Sequence, residues 1–250
     1  MGSLPRGKIG HKEIYKRFPD RYDAFMSAHD YGEKVKSVIL PMLKQSNIVI
    51  DAGCGTGRIS RLVAPLVQRV YAFDQSPAMV TYLASCRLPN TVCATCALGD
   101  ESIANFHPSA GANPSPVVII AAWSLCCVKQ SHWAEQAWKP VVSRIIDNWI
   151  CRFQPERIIV LENLGTGVKE QTRKGDILQH VPGFSDPLHI RTDYAYATEE
   201  EALRELTFFY GGKTAAHFVN TCSWRNGEGQ VVIPEVTGVY VYEAPTGKSN

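Results

Sequence analysis

No stretch of the chain approaches the run of about eighteen continuous apolar residues that a membrane-spanning helix needs, and the opening MGSLPRGKIGHKE has no apolar secretory core. These absences exclude a helical membrane protein and give a cytoplasmic setting as the expectation. An excess of one charge is missing too. With 26 Lys and Arg against 24 Asp and Glu, the formal charge is only +2, which leaves no electrostatic footprint of a dedicated nucleic-acid or acidic-membrane binder. Lipid anchors lack their signals: Arg6 stands where a myristoylated Gly2 would want Ser or Thr, and the final GKSN is no prenylation box. A zinc site is not expected, because Cys93-x-x-Cys96 has no second ligand pair at a suitable spacing and Cys126 and Cys127 are adjacent. The eight cysteines lie mostly in apolar runs, as reduced thiols do.

What remains is an ordinary globular composition, 45% hydrophobic and 20% charged, in a chain of 250 residues that can bury a full core as one domain over 1–250. Short Val/Ile-rich runs alternate with amphipathic stretches, the pattern of a parallel sheet with crossover helices. Strands are predicted over 47–51, 70–73, 91–98, 117–121 and 157–161, with a loop at 107–116 rich in Pro, Ser, Gly and Asn. Ile59, Leu62, Val63, Leu66 and Val67 mark one face of a helix that Pro65 shortens. Ser76-Pro77 caps the next helix, and Val142 to Phe153 repeats at helical spacing after Pro140. Thr198 caps a helix through Leu206, and two final strands are expected near 215–224 and 236–243. Residues 1–35 read as an N-terminal helical cap. The stretch 163–197 shows neither period and reads as an acceptor-side insertion or lid.

The chemistry concentrates in Val49-Ile-Asp-Ala-Gly-Cys-Gly-Thr-Gly-Arg58, where a buried strand ends in an acid and alternate glycines lead into a helix. Glycines let backbone approach a ligand within van der Waals reach. Twenty-three residues after Asp51, Asp74 closes the second strand, where a carboxylate can accept both hydroxyls of a ribose. A nicotinamide-dependent Rossmann enzyme is the rival reading, but its G-x-G-x-x-G fingerprint would need a third glycine at Arg58. The segment resembles instead the class I S-adenosylmethionine-dependent methyltransferases, in particular the small-molecule type of ubiquinone and natural-product biosynthesis. The resemblance implies an α/β, doubly wound, Rossmann-like seven-stranded sheet, mostly parallel with an antiparallel last strand and helices on both faces. By it Asp51 and Cys54 sit near the methionine end, Gly53, Gly55 and Gly57 pack under S-adenosylmethionine, and Asp74 holds the ribose. Gln75 and Met79 border the adenosine, Asp100 or Glu101 meets the adenine, and Trp123 follows the fourth strand.

The implied reaction moves a methyl group to an oxygen or nitrogen, then sulfur in order of preference, of a small organic acceptor, leaving S-adenosylhomocysteine. A catalytically inactive donor-binding module is the other reading. The acceptor is expected to be planar or hydrophobic, because Tyr15 and Tyr22, Trp123 and Trp133, and Phe184, Tyr194 and Tyr196 fall in the segments expected to flank it. His132, His180 and His189 lie in the same segments and are the candidate catalytic bases. Tyr15 and Tyr22 are also candidate donor contacts. The sequence after the fourth strand, Ala-Trp-Ser-Leu, lacks the tetrapeptide of nucleic-acid amino-methyltransferases, so no nucleic-acid partner and no membrane partner is expected, and the protein is expected to be a monomer or homodimer.

Overall fold

The computed structural model describes residues 10–100, 115–132, 137–170, 177, 178 and 180–245. Glu101, Trp133 and most of the expected 107–116 loop lie outside them. The chain opens with three short helices, α1 (His11–Arg17), α2 (Pro19–Met26) and α3 (Lys34–Ile39). Alternation then begins. Strand β1 (Ile48–Ala52) leads through the glycines into α4 (Arg58–Val63), which passes at Pro65 into a 3-10 turn, Ala64–Leu66. There follow β2 (Arg69–Asp74), α5 (Pro77–Ser85), β3 (Thr91–Thr95), β4 (Val117–Ala122), α6 (Leu125–Ser131), α7 (Trp138–Phe153) and β5 (Arg157–Thr166).

The remaining elements are β6 (Leu188–Arg191), β7 (Tyr194–Tyr196), α8 (Glu199–Tyr210), α9 (Gly212–His217), β8 (Trp224–Arg225), β9 (Val231–Ile233) and β10 (Glu235–Glu243). The main sheet has seven strands in the order β3-β2-β1-β4-β5-β10-β6, with β10 antiparallel to both neighbours and the others parallel. This is the arrangement that the resemblance implies. Alternate strand residues bury opposite faces: Ile50, Ile119, Ile158 and Val160 pack with Ile145, Ile146 and Trp149 of α7. Val49, Val118, Ile120 and Ile159 pack on the other side with Val35 and Ile39 of α3 and Ile59 and Val63 of α4. Near-continuous apolar runs are what a parallel sheet covered on both faces requires.

Two expectations need correction. Residues 215–224 are not a strand: α9 continues into a π-helical turn, Phe218–Cys222. The buried Ala215, Phe218 and Val219 fall at i, i+3 and i+4, a helical face that covers Tyr196, Phe208 and Val231. The stretch 163–197 is regular at both ends. Its start extends β5 against β10, its end forms the edge strand β6, and β7 joins a second sheet in the order β7-β9-β8. The capping of the following helix holds: Thr198 Oγ1 accepts the Glu201 N–H at 3.1 Å, and Glu201 Oε2 accepts the Ala197 N–H at 2.9 Å. The N-terminal cap contains two helices, broken at Phe18-Pro19, and Ile14 and Phe25 bury it against the Tyr194, Tyr196 and Phe208 cluster.

Candidate functional site

The site grows from the carboxyl ends of β1, β2 and β4, which lie side by side in register, with Asp51 opposite Ala72 on one flank and Ile120 on the other. Outside that edge an open sheet binds its ligands. The turn after β1 is tied back by two bonds, from Gly53 N–H at 2.7 Å and Cys54 N–H at 2.8 Å, to the Phe73 carbonyl. Gly53 has φ +79°, and a Cβ there would stand 2.4 Å from Ser124 Cβ, so only glycine lets the two strand ends meet. Gly55 is different: a Cβ would reach nothing nearer than Tyr22 at 3.9 Å, because this residue faces open space.

Asp74 organises this turn. Its Oδ2 accepts the Gly55 N–H at 2.9 Å and its Oδ1 accepts the Ser76 N–H at 2.8 Å, so one carboxylate joins the glycine loop to the start of α5. Each oxygen retains a lone pair. Burial pushes its pKa up, against the pull of those two amides. Asp51 is 1% exposed and accepts the Ser60 hydroxyl at 2.6 Å. Burial, offset by that bond and reinforced by the charge of Asp74, pushes the Asp51 carboxyl up to about 7. The Ser76 hydroxyl does not cap α5. It donates to the Tyr15 carbonyl at 2.8 Å and so pins α1 over the loop.

These residues border a cavity of about 790 Å³. Asp51, Gly53, Cys54, Gly55, Asp74, Gln75, Met79, Trp123, Tyr15 and Tyr22 all line it, as does His132. Tyr15 and Tyr22 meet edge to face at 5.2 Å, and burial pushes both phenols well up, so they enter any chemistry protonated. Four placements differ from the sequence reading. Gly57 stands behind the cavity, where a Cβ would lie 2.2 Å from Leu83 Cδ1, so its part is to seat α4 on α5. Asp100 is exposed and outside the lining, which its neighbours Ala97, Leu98 and Gly99 supply. His180 is held elsewhere, its Nε2 3.0 Å from the Lys139 carbonyl and its ring edge-on to Trp138. His189 is exposed on the edge strand β6, opposite Gly238.

Tyr194 and Tyr196 are buried in the cluster under α8, and Phe184 packs on Tyr242, so none of the third aromatic group reaches the cavity. Position in sequence after a strand said nothing of which sheet received these residues. Several lining residues had no sequence signal as site groups: Lys12, Lys16, Arg58, Cys127, Arg144 and Asn148. Arg58 lies over the Trp123 ring at 5.0 Å, donates to the His29 carbonyl at 3.2 Å and to His29 Nδ1, and pairs with Asp30 at 3.6 Å. Trp123 has φ +53°. Its indole nitrogen and the Ser124 hydroxyl are buried without a hydrogen-bond partner among the described residues.

Residues 50–107 match the methyltransferase domain model Methyltransf_11. Over that span the chain carries a methyltransferase domain. Its fold is shared with an S-adenosylmethionine-dependent methyltransferase of Anabaena variabilis ATCC 29413, at 11% identity and TM-score 0.53 over 97% of this chain and 99% of that one. A phosphoethanolamine N-methyltransferase 2 of Haemonchus contortus, solved with phosphomonomethylethanolamine and S-adenosylhomocysteine, is similar at 14% identity and TM-score 0.54 over 97% of this chain and 61% of that one. A candidate methyltransferase of Bacillus halodurans C-125 aligns at 12% identity and TM-score 0.54 over 86% and 100%. No curated protein matches the methyltransferase by sequence.

S-adenosylmethionine is the methyltransferase's cofactor, and the cavity fits it. The orphaned Ser124 hydroxyl, the open face of Gly55 and the carboxylate of Asp74 meet a ligand that carries hydrogen-bonding groups at both ends. No helix among the described residues is long and apolar enough to cross a membrane, and no described group of three or more His, Cys, Asp or Glu could hold a metal.

Proposed function

We propose that this methyltransferase acts on an oxygen or nitrogen of a small organic acceptor held between the glycine loop, α1 and the start of α6. The observation that carries this reading is Asp74, which fixes the loop through two backbone amides while keeping a lone pair on each oxygen for the two hydroxyls of a ribose. In this reading Gln75 and Met79 flank the adenosine, Gly53 and Gly55 underlie the cofactor, and Asp51 and Ser124 face its methionine end. Bound there, S-adenosylmethionine supplies a methyl group on a sulfonium that already carries the driving force for transfer.

The residues therefore have to position and exclude more than activate. Tyr15, Tyr22 and Trp123 give the acceptor flat apolar walls that keep out water, and a nucleophile must come within about 3 Å of the methyl carbon, in line with the sulfur. The walls suit a planar or hydrophobic acceptor. His132 is the one sequence-designated histidine on the cavity wall, and we assign its imidazole the role of taking a proton from a phenol or amine. The free cysteines agree with a cytosolic setting. Titration calorimetry tests the reading: S-adenosylhomocysteine binds and NADH does not, and tighter NADH binding overturns it. Methyl transfer to a metabolite extract, followed by mass spectrometry, separates an active enzyme from a donor-binding module.

A further inference from the structure

The charges around the cavity do not balance. Among the described residues its lining contains two carboxylates, Asp51 and Asp74, against four cations, Lys12, Lys16, Arg58 and Arg144. Both acids lie at the strand ends, on the side assigned to the donor. Arg58 is engaged by Asp30 and His29, whereas Lys12, Lys16 and Arg144 have no ion-pair partner among the described residues. The donor makes the imbalance larger, since its sulfonium and ammonium outnumber its one carboxylate.

The unpaired cations come from two helices, each with a helical repeat toward the cavity. On α1, Lys12 and Lys16 are four residues apart and share a face. On α7, Val141, Arg144, Ile145 and Asn148 form a stripe beside the core-facing one, and all four line the cavity. The Lys12 ammonium, though exposed, lies near enough to act on the Cys127 thiol of α6, so α1 brings its charge beside the α6 wall. A stripe whose polar members are an arginine and an amide, sharing one cavity with two lysines and, among the described lining residues, with no acid outside the strand ends, suits an oxyanion.

We propose that the acceptor carries an oxyanionic group, a carboxylate or a phosphate, held at the mouth of the cavity by Lys12, Lys16 and Arg144 with Asn148 as a neutral donor. This rests on the methyltransferase reading and narrows its substrate class. An acidic substituent on an otherwise flat acceptor then fixes which end of the molecule points at the methyl group, and the cations draw such acceptors in at low salt.

The test uses the full chain saturated with S-adenosylhomocysteine, titrated with two probe pairs, each an anion and its neutral counterpart: benzoate against benzamide, and phenyl phosphate against phenol. The anionic member of at least one pair binds about tenfold or more tightly, and the preference shrinks as sodium chloride is raised; the better pair tells carboxylate from phosphate. In the folded double variant Lys16→Gln, Arg144→Gln the preference falls to about threefold or less, while S-adenosylhomocysteine affinity changes by less than about threefold. Equal binding within both pairs, binding of neither member, or a preference that survives in the variant overturns the proposal. Loss of S-adenosylhomocysteine binding in the variant also overturns it, by giving the cations to the donor. A wild-type chain that fails to bind S-adenosylhomocysteine at all refutes the methyltransferase reading instead, a distinct result.

Discussion

Replacing Asp74 probes the loop and the ribose at once, and the two effects can be separated. In Asp74→Ala the Gly55 and Ser76 N–H groups lose acceptors at 2.9 and 2.8 Å. Both residues are only partly buried, so water replaces part of each bond and the cost is about 1 to 2 kcal/mol, near the low end for unsatisfied amides. For a chain of this size that lowers Tm by about 2 to 8 °C. The ligand loses two bonds to a charged acceptor, each worth about 1.5 to 3 kcal/mol before water competes. Donor affinity then falls by about tenfold to a hundredfold, at about 1.4 kcal/mol per factor of ten. Calorimetry with S-adenosylhomocysteine and with its analogue lacking both ribose hydroxyls forms a double-mutant cycle in which the loop term cancels. The analogue binds wild type and variant alike. Equal losses for both ligands would refute the ribose contact and leave Asp74 a loop brace; unchanged affinity in a folded variant would remove it from the site.

Gly57→Ala forces a Cβ to 2.2 Å from the buried Leu83 at φ +89° and destabilises by about 2 to 3 kcal/mol, whereas Gly55→Ala costs about 1 kcal/mol in stability yet weakens donor binding more; chemical denaturation beside calorimetry checks the order, and reversed ranks would contradict the packing described. Burial and the nearby Cys127 push Glu162 up to about 8, so the folded chain holds a proton that the unfolded chain releases near pH 4.5, and stability falls as pH rises between those values at about 1.4 kcal/mol per unit. Glu162→Gln keeps an acceptor for the Cys126 N–H, now at 3.1 Å, and flattens the decline of Tm between about pH 4.5 and 8; parallel melting curves would show that Glu162 does not titrate there. Once an acceptor is in hand, His132→Asn lowers turnover by about tenfold or more, within the range of general-base effects, while His189→Asn stays within about twofold; the reverse pattern would restore the edge-strand histidine to the site.

The donor half of the cavity was legible because its geometry is local. Asp51, the glycines and Asp74 are strand ends and turns, and Val/Ile runs on either side leave one register for a sheet buried on both faces. The acceptor half depends on contacts that no period reports. His180, His189 and Tyr194 follow β5 in sequence, yet the chain after β5 leaves the cavity for the sheet edge and the second sheet. Even the helix over 212–222 hides, since Ala215, Phe218 and Val219 are too few apolar positions to separate helix from strand. On α7 the core stripe dominates the pattern, and the adjacent Arg144 and Asn148 read only as its solvent side.

Arg58 shows how far a local reading reaches. In sequence it mattered only as the residue that breaks a dinucleotide fingerprint. In the structure a guanidinium, which has donors alone, faces His29 Nδ1, so that nitrogen accepts and the ring's proton sits on Nε2, donated to Glu235 Oε1 at 2.7 Å. Burial pushes the His29 pKa down, which favours the same neutral ring. Thr166 Oγ1 donates to the other Glu235 oxygen at 2.6 Å, and the Glu235 N–H is accepted by Asp193 at 2.9 Å. One chain of bonds thus runs from the cavity wall through the N-terminal cap to β5 and β10. Its members are 206 residues apart between His29 and Glu235. A glycine at 58 would leave Asp30 and His29 buried with their cation gone, at a cost of several kcal/mol for uncompensated charge. The departure from one motif is therefore what fastens the cap that carries Lys12, Tyr15 and Lys16 to the rim of the donor site.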